Sequence, residues 1–584
     1  MMAFTDMPWI KHYDEGVPAS LEPYPAQPLF RFLQDAAQKA PNKTATLTSV
    51  HLPLFGRRKA ELSYGALESQ SDALASALLS LGLKKGDRVA IVLPNCAQFV
   101  IAFWAVLKAG GTVAATNPTY PSAKMSAQIK DSGATFVICL SLFYEMIKKF
   151  QAETDVQQVI VTNIKDYFPP LAATLFTIAR EKKEGHRIER RPGDHDFASL
   201  IQAYQGRKAN VEVKATDTAI FQYTGGTTGV PKAAMATHQA LVANVMQGGA
   251  WLGEHLSPET IFMGAIPFFH VYGLVTVVAT AARLAAKILL VINPRETVEV
   301  LEIIKNYKPT IFHGVPAMYN AINVHPDVKA GKYDLSSIGA CISGSAPLSA
   351  STKHTFEKLT GGLLVEGYGM SEMPTVTHVN PLHGEIREGS IGLPFPDMEI
   401  RIVSLTDGVT DVGVGEVGEL VMRGPQMMTG YWNLPAETQV ALRQGPDGKV
   451  WLYSGDIARM DSDGYFYIVD RKKDMALIGG FNVYPNNVEA VLSGHPAVQE
   501  VAVAAIPHPD ADKAGQEALK AWVILKDGEH VSEQELIAYM EQKLARYEVP
   551  TRITFVRDFP RSTVGKVLRR ELVQMEFTAS EKPS

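Results

Sequence analysis

Cysteine is scarce in this sequence, which excludes a disulfide-stabilised secreted scaffold. The 584 residues include three cysteines, Cys96, Cys139 and Cys341, and none of them forms a C-x-x-C pair. Each lies in an apolar stretch, where an unreactive buried thiol is the usual state of the residue. We therefore expect three free, buried cysteines and a reducing, cytoplasmic environment.

Long uncharged apolar runs are also missing. The most apolar stretch, Leu274–Ile292, contains Arg283 and Lys287, and charges near the centre of a membrane span are costly. The stretch therefore predicts a buried helix followed by a strand. The opening residues, MMAFTDMPWIKHYDEG, have no apolar segment typical of a signal peptide.

Neither sign of charge dominates, since 56 Lys and Arg against 61 Asp and Glu leave a net charge of −5. Nucleic-acid-binding domains usually carry a basic surplus, so the overall charge does not favour a nucleic-acid partner. Hydrophobic residues make up 46% of the chain, enough for buried cores. At roughly 100–200 residues per domain, the length predicts about three to five domains or subdomains.

Strand-like and helix-like segments alternate up to about residue 400. Apolar runs such as DRVAIVLP, TFVIC, KPTIFHGV and SIGACISG are each followed by a longer helical pattern. This alternation predicts an α/β fold with parallel sheets covered on both faces. Ligands of such folds bind beyond the carboxyl ends of the strands. We therefore expect the loops 224–232, 344–347 and 367–372, which follow strands, to face one cleft.

The C-terminal part is organised differently. Residues 390–469 contain short segments such as MEIRIV and GYFYIVD between glycines and aspartates, typical of a small β-rich subdomain. After the charged cluster DRKKD (470–474), helices and strands follow, one helix beginning at the capping box Ser532-x-x-Glu535. We predict a large domain over residues 1–469 and a small α+β domain over 470–584, with the boundary at Asp470.

The strongest local signal is YTGGTTGVPK, residues 223–232. Its glycines allow backbone N–H groups to approach phosphate oxygens, its threonines add hydroxyl donors, and Lys232 adds positive charge. A Walker A loop is excluded, because no Gly-Lys pair in the chain is followed by Ser or Thr. On composition alone, such a loop is more often a simple turn than a phosphate site.

With its further motifs, the chain resembles the adenylate-forming enzymes: acyl-CoA synthetases, luciferases and peptide-synthetase adenylation domains. The resemblance covers about residues 25 to 575 and is greatest to bacterial long-chain fatty-acid–CoA ligases. It implies a large N-terminal domain followed by a small, mobile C-terminal domain. The motifs, in the family's order, are YTGGTTGVPK (223–232), PFFHVYG (267–273), SGSAPL (343–348), EGYGMSE (366–372), YSGD (453–456), DRKKD (470–474), GGFNVYP (479–485) and PRSTVGKVLRREL (560–572).

The resemblance assigns a nucleotide site. It implies that Tyr368 offers an aromatic face to adenine and that Asp456 and Arg471 bind the ribose hydroxyls. Without the resemblance, Asp456 would be interpreted as a turn residue. The residues implied in ATP and AMP binding are Thr224, Gly225, Gly226, Thr227, Thr228, Gly229, Lys232, Gly344, Ser345, Ala346, Glu366, Gly367, Tyr368, Gly369, Asp456 and Arg471.

The resemblance also implies four catalytic residues, Lys566, Glu372, His270 and Ser371. Glu372, with Thr228, would bind Mg²⁺, and Ser371 would reach the α-phosphate, unless Ser371 and Glu372 merely cap a helix. Lys566 would bridge the carboxylate and the α-phosphate, although a lone lysine is usually a solvated charge. His270 would position these groups, although taken alone it is more often a core histidine.

Further assignments concern the acyl chain, coenzyme A and the hinge. The family likeness implies coenzyme A binding at Gly479, Gly480 and Phe481 and a hinge at Asp470. The acyl pocket should be apolar, and we expect two of its glycines, at 273 and 314, to leave room at its entrance. The residues predicted to line it are Phe269, Tyr272, Gly273, Gly314 and Val315.

The resemblance implies two half-reactions with ATP, Mg²⁺ and coenzyme A. A fatty carboxylate attacks the α-phosphate, pyrophosphate leaves, and coenzyme A then displaces AMP. The alternatives are a medium-chain or aryl-CoA ligase, a ligase that loads a carrier protein, a P-loop motor or switch, and a non-catalytic lipid-binding protein. The missing G-K-[ST] argues against the P-loop protein, and the intact site residues argue against the non-catalytic one. A homodimer is expected at the level of the family.

Residues 171–191 combine LAATLFTIAR with the charged run EKKEGHRIERR. An apolar stretch beside clustered basic residues is compatible with peripheral contact to the cytoplasmic face of a membrane. Because Glu181, Glu184 and Glu189 interleave with the basic residues, a loop insertion with a solvated charge run is the favoured interpretation.

Overall fold

The computed structural model describes residues 7–52, 55–224, 231–257, 259–508, 516–561 and 566–580, with side chains described up to residue 575. The chain divides into two compact units, called here the large and the small unit. The large unit comprises Ile10–Glu399 and Arg423–Arg443, and the small unit comprises Met1–Trp9, Ile400–Met422 and Gln444–Ser584.

A seven-stranded sheet of the large unit leads to the glycine loop. All of its neighbouring strands are parallel except the last pair, as the alternating apolar strands and helices predict. In spatial order the strands are His195–Asp196, Gln158–Thr162, Phe136–Leu140, Arg88–Val92, Thr112–Ala115, Thr218–Thr224 and Lys232–Thr237.

Two four-stranded sheets of the large unit are connected through single parallel bridges at Ile311. The predicted strand KPTIFHGV is present as isolated bridges, at Ile311 and between Gly314 and Ser343. Its backbone nevertheless bonds to both neighbouring strands, since Met263 N donates to the carbonyl of Ile311 and Phe312 N donates to that of Ala340. The strands of one sheet are Ile261–Gly264, Lys287–Leu290, Thr44–Leu52 and Gly56–Ser63, and those of the other are Ala340–Ser343, Leu363–Gly369, Val376–Val379 and Leu393–Pro394.

Helices cover these sheets. The predicted buried helix followed by a strand is confirmed, because the chain is helical from Val271 to Leu284, with a π-helical stretch at Leu274–Ala279, before strand Lys287–Leu290. The other α-helices of the large unit are Arg31–Lys39, Tyr64–Ser80, Ala97–Lys108, Ser122–Ser132, Ser141–Phe150, Pro170–Ala179, Phe197–Ala203, His238–Leu252, Thr297–Tyr307, Pro316–Val324, Pro326–Lys329, Ala350–Thr360 and Pro435–Ala441.

The small unit contains residues 400–422 and 444–469 of the predicted β-rich subdomain and the α+β segment after it. One helix begins at the predicted capping box, in which Ser532 and Glu535 bond each other's backbone N–H groups. The sheets are formed by Glu399–Val403, Gly418–Arg423, Val450–Met460, Leu442–Gln444 and Phe466–Arg471; by Ala476–Ile478 and Phe481–Val483; and by Val498–Pro507, Glu517–Leu525 and Arg552–Phe555. The α-helices are Pro485–Ser493, Glu533–Glu541 and Arg569–Ser580.

The predicted α/β fold class is therefore confirmed, while the domain boundary at Asp470 stays a prediction. The three cysteines are free and buried, as expected. None of the described helices has the length and apolar character that a bilayer span requires.

Candidate functional site

The glycine loop connects two paired strands of the large unit. Thr224 ends one strand and Lys232 begins the next, and the two residues are opposite each other in an antiparallel ladder. The predicted phosphate-binding residues between them lie outside the described residues: Gly225, Gly226, Thr227, Thr228 and Gly229. The ladder brings the two ends of the loop together.

Lys232 contacts two residues that the sequence analysis did not find, Glu437 and Tyr431. Its ammonium group forms an ion pair with Glu437 and lies 5.4 Å from the centre of the Tyr431 ring. The Tyr431 hydroxyl in turn donates a 2.7 Å hydrogen bond to Oε1 of Glu372. Tyr431 therefore connects the lysine of the glycine loop to the predicted metal-binding carboxylate.

These partners reach Lys232 because residues 429–432 pair with the strand Lys232–Thr237. Met235 N donates to the carbonyl of Gly430, and Trp432 N donates to that of Ala233. Lys232 and Glu437 are 205 positions apart in the chain, and no sequence pattern connects GYWNLPAE to the glycine loop.

Glu372 has the chemistry of a Mg²⁺ ligand. Its carboxylate offers hard oxygen ligands, and only 9% of the residue is exposed. No group of three or more His, Cys, Asp or Glu side chains among the described residues could hold a metal by itself. Mg²⁺ beside phosphates needs only one or two protein carboxylates, so Glu372 fits this ion, while the second predicted ligand, Thr228, lies outside the described residues.

Ser371 and Glu372 do not cap a helix. Residues 371–375 form a turn that continues into strand Val376–Val379. The alternative explanation of these two residues as a helix cap is therefore wrong. Ser371 is half-buried, next to the carboxylate of the predicted metal site.

The two predicted adenine walls follow from neighbouring strands. Strand Ala340–Ser343 leads into residues 344–346, and the parallel strand Leu363–Gly369 contains the other wall. Tyr368 is half-buried, and its ring meets the His378 ring edge-on, with 5.9 Å between the ring centres. The register of the two strands brings both walls to the same edge of the sheet.

Glu366 lines a cavity of about 270 Å³ together with Lys353 and Arg387. Burial raises the pKa of the Glu366 carboxyl to about 8, although the backbone N–H of Leu348 opposes the shift. The carboxyl is therefore protonated over much of the neutral range and offers an O–H donor as well as an acceptor to a ligand.

Close contacts with neighbouring backbone and side-chain atoms explain the glycines of the adenine walls. A Cβ atom on Gly369 would lie 1.8 Å from the carbonyl oxygen of Thr375, and one on Gly367 would lie 2.8 Å from Ile342. A Cβ on Gly344 would lie 3.3 Å from the ring of Tyr272. Of the three, Gly369 is the one at which no side chain fits without moving the main chain.

His270 is held at the start of the helical stretch 271–284. Its Nδ1 accepts a 3.2 Å hydrogen bond from the backbone N–H of Tyr272, and burial lowers its pKa to about 4. Gln222, on the strand that enters the glycine loop, accepts a 3.0 Å hydrogen bond from Val271 N. Gln222 therefore ties the His270 segment to that strand, a role that the sequence analysis did not find.

The predicted acyl-pocket residues lie together, but two of them do not leave open space. A Cβ on Gly273 would lie 2.5 Å from the carbonyl oxygen of Pro267, and one on Gly314 would lie 2.7 Å from the ring of Tyr319. The expectation that these glycines leave room at the pocket entrance is therefore wrong, because each one allows a close internal packing contact.

Other acyl-pocket residues pack against one another. The Tyr272 hydroxyl donates to the carbonyl oxygens of Gly314 at 3.2 Å and Ile342 at 2.6 Å. Tyr272 and Val315 belong to one buried apolar cluster, whereas Phe269 is half-buried. The geometry therefore fixes the Tyr272 ring between the helical stretch and the adjacent sheet.

In the small unit, Asp456, Arg471 and Lys566 lie close together. Asp456 and Arg471 are opposite each other on paired strands, and Arg471 Nε lies 3.4 Å from Asp456 Oδ1. Burial and the charge of Arg471 lower the pKa of Lys566 to about 7, with Lys473 adding to the shift and Asp456 opposing it. The fold thus groups the predicted ribose ligands with the predicted catalytic lysine, which is 95 or more positions away along the chain.

Asp470 is fully buried at the end of strand Phe466–Arg471. Its Oδ1 accepts a hydrogen bond from Arg471 N at 2.7 Å, and its Oδ2 accepts one from Asn486 N at 2.8 Å. The carboxylate of the predicted hinge residue is therefore held by backbone donors on both sides.

The predicted coenzyme A residues lie in a two-stranded hairpin. Gly479 and Gly480 form its turn with φ of 58° and 87°, a backbone region that favours glycine. Phe481 is 55% exposed, and its ring stacks on that of Tyr547 with the ring centres 4.4 Å apart. The hairpin therefore places a glycine turn next to the exposed ring of Phe481.

Two family models match the chain. The model described as AMP-binding enzyme matches residues 33–432, and the one described as AMP-binding enzyme C-terminal domain matches residues 487–566. A relative from Bacillus subtilis (strain 168), named long-chain-fatty-acid–CoA ligase, is 39% identical over 97% of this chain and 98% of its own length.

Aromatic acids occur among the substrates named for similar proteins. A relative from Solanum tuberosum, named 4-coumarate–CoA ligase 1, is 30% identical over 87% of this chain and 88% of its own. The crystal structure of the anthranilate CoA ligase AuaEII in complex with anthranoyl-AMP superposes with a TM-score of 0.81 at 25% identity, covering 97% of this chain and all of that one.

Proposed function

The chain belongs to the AMP-binding enzyme family and is an adenylate-forming acyl-CoA ligase, and from this premise we propose that it joins long-chain fatty acids to coenzyme A. The observation that carries the long-chain assignment is the 39% identity, over nearly the full length of both chains, to the Bacillus ligase. The buried apolar surroundings of Tyr272 and Val315 are compatible with an alkyl chain.

In the first half-reaction, a carboxylate oxygen attacks the α-phosphorus of ATP, and the bond to pyrophosphate breaks. The physical obstacle is that two anions must meet. We assign Lys232 and the glycine loop to the phosphates, Ser371 to the α-phosphate, and Lys566 to the pair formed by carboxylate and α-phosphate. Mg²⁺ held by Glu372 would neutralise further phosphate charge.

The remaining site residues orient the nucleotide and the acid. Asp456 and Arg471, which face each other across two strands, are assigned to the ribose hydroxyls, and Tyr368 to the adenine face. His270 is assigned a positioning role, because its low pKa leaves the ring neutral and already engaged in capping a helical turn.

In the second half-reaction, the coenzyme A sulfur attacks the acyl carbon, AMP leaves, and the thiol proton is released. We propose that the residues after Asp470 rotate between the two steps, so that Lys566 leaves the reacting groups and the hairpin at Gly479, Gly480 and Phe481 approaches them. Hinge motions of this kind commonly alternate two arrangements of one enzyme.

The test is a panel of saturated fatty acids of increasing length together with 4-coumarate and anthranilate. AMP release and thioester formation are measured with and without coenzyme A. We expect the highest kcat/KM for a long-chain acid and coenzyme A as the acceptor. Highest activity with an aromatic acid would favour the second candidate, an aryl-CoA ligase, which the similarity to the Solanum ligase supports.

Two further proposals concern membrane contact and the oligomeric state. We propose a cytoplasmic enzyme that contacts a membrane surface through residues 171–191, since Leu171 and Ile178 on helix Pro170–Ala179 are 40% and 78% exposed. Family likeness is the basis for proposing a homodimer, which sedimentation equilibrium of the full chain would test.

A further inference from the structure

Arg569, three positions after Lys566, lies at the centre of a cluster of carboxylates in the small unit. Its guanidinium nitrogens lie 2.7 Å from Glu489 Oε1, 3.6 Å from Asp474 Oδ2 and 3.7 Å from Asp470 Oδ1. Only 19% of the Arg569 side chain is exposed. Although burial opposes it, the charges of Glu489 and Asp470 raise the pKa of Arg569, so its positive charge is permanent.

The carboxylates of this cluster are themselves held by the backbone. Asp470 accepts hydrogen bonds from two backbone N–H groups, as described above, and Glu489 Oε1 accepts one from Val503 N at 2.7 Å. The Arg569 guanidinium also donates to the side-chain oxygen of Asn486, at the start of helix Pro485–Ser493. The cluster therefore joins the end of strand Phe466–Arg471 to that helix.

The chain segment that carries Lys566 is attached to this cluster through Arg569. Val567 forms a bridge with Arg561, and Leu568 N donates a 2.8 Å hydrogen bond to the carbonyl of Pro560. Arg569 then begins the helix Arg569–Ser580. Lys566 lies three positions before Arg569, so the ion pairs of Arg569 limit where this short segment can place the lysine.

We propose that Arg569 is a positioning residue that couples Asp470, the proposed hinge residue, to Lys566 and so places the lysine for adenylation. Removing the guanidinium would leave Asp470, Asp474 and Glu489 close together without their shared cation, which is strongly unfavourable for partly buried carboxylates. This inference rests on the proposed function, since it assigns a role within the same two half-reactions.

The test compares the two half-reactions in Arg569→Gln. Adenylation is followed as oleate-dependent pyrophosphate release, and thioester formation is followed from chemically prepared oleoyl-AMP and coenzyme A. We expect adenylation to fall by about tenfold to a hundredfold, because small displacements of a catalytic group have effects of this size. Thioester formation should stay close to that of the unchanged protein.

Two further variants provide controls. Arg570→Gln removes the neighbouring, exposed arginine and should change neither half-reaction. Arg569→Lys keeps the charge but loses the planar guanidinium with its several N–H donors. Its rate of adenylation should therefore lie between those of the unchanged protein and Arg569→Gln. If Arg569→Gln fails to fold, Arg569→Lys is used for the comparison of half-reactions.

A double variant decides whether Arg569 acts through Lys566. In a Lys566→Ala background, Arg569→Gln should cause no additional loss of adenylation, because residues that act through one another are not additive. An equal loss of both half-reactions, or a full additional loss in the double variant, would overturn the proposal. Failure of the unchanged protein to form oleoyl-CoA would instead contradict the proposed function.

Discussion

Lys232 and Lys566, the two lysines assigned to the phosphates, differ in their surroundings. Lys232 has a carboxylate partner, Glu437, in the large unit. Lys566 shares its surroundings in the small unit with the cations Arg471 and Lys473 as well as with Asp456, and its pKa is lowered to about 7. A lysine in such surroundings changes its charge near neutral pH.

Lys566→Ala should slow adenylation but not thioester formation. Without the ammonium group, the carboxylate and the α-phosphate meet without charge compensation, so we expect adenylation to fall by about 10²–10³-fold. Thioester formation from preformed acyl-adenylate should persist. Single-turnover measurements of both steps check this, and equal loss in both steps would contradict the proposed alternation.

The pH dependence of adenylation should show the titration of Lys566. The charged form is the active one, so kcat/KM should fall as the pH rises through about 7, the lowered pKa of this lysine. Lys566→Arg, which stays charged at all accessible pH values, provides the control. A fall at the same pH in this variant would assign the titration to another group.

Tyr431→Phe should weaken metal binding at Glu372. The change removes the hydroxyl that donates to Glu372 Oε1, and loss of such an outer partner typically costs about 10–100-fold in metal affinity. Binding of Mn²⁺ in the presence of a non-hydrolysable ATP analogue, followed by electron paramagnetic resonance, measures it. The control is Tyr453→Phe, which removes a hydroxyl that donates to the carbonyl of Gly408. This variant should bind Mn²⁺ as the unchanged protein does.

Among the elements, helix Pro170–Ala179 has apolar side chains on its exposed face as well as on its buried face. Phe176 and Ala172 are buried, whereas Ile178 is exposed to 78%. One charged residue after the helix is anchored, since Glu181 forms an ion pair with Lys165 at 2.7 Å, whereas most of the charged run is exposed. The interpretation as an insertion with a solvated charge run stays a prediction, and the exposed Ile178 is the basis for proposing membrane contact.

Deletion of residues 171–191 should lower binding to anionic liposomes without loss of adenylation. Because the deletion also removes the contacts of Glu181, Ile178→Asp is the milder variant, and it should reduce binding by itself. Sedimentation with vesicles that contain phosphatidylglycerol measures the bound fraction. Unchanged binding in both variants would exclude this segment as the contact surface.

At the scale of the whole molecule, ligand binding should raise the free energy of unfolding. A non-hydrolysable ATP analogue with Mg²⁺ should stabilise the protein by about 2.7 kcal/mol at one hundred times its Kd. The midpoint of urea unfolding measures this, with the GTP analogue as control, since we expect the walls around Tyr368 to favour adenine. Equal stabilisation by both analogues would contradict that assignment of the walls.

Sequence reasoning predicted the fold class correctly, but it missed several contacts of the candidate residues, such as those of Lys232 with Glu437 and Tyr431. The capping box at Ser532 and the helix followed by a strand at 271–290 were predictable because they depend on neighbouring residues. The strand predicted at KPTIFHGV bonds to both neighbouring strands, although it forms isolated bridges and not a continuous ladder. The expectation that Gly273 and Gly314 leave open space was wrong, because the sequence does not show which atoms occupy the space beside a glycine.

The sequence by itself determined the alternation of strands and helices, the glycine loop and the order of the motifs, because these are patterns of residues close together in the chain. Only the tertiary structure decided that Tyr431 and Glu437 meet Lys232, that Lys566 lies beside Asp456, and that Arg569 joins the Asp470 carboxylate. Burial and the approach of distant charges set these contacts and the pKa values that follow from them. Both depend on how segments far apart in the chain pack together, which no local pattern records.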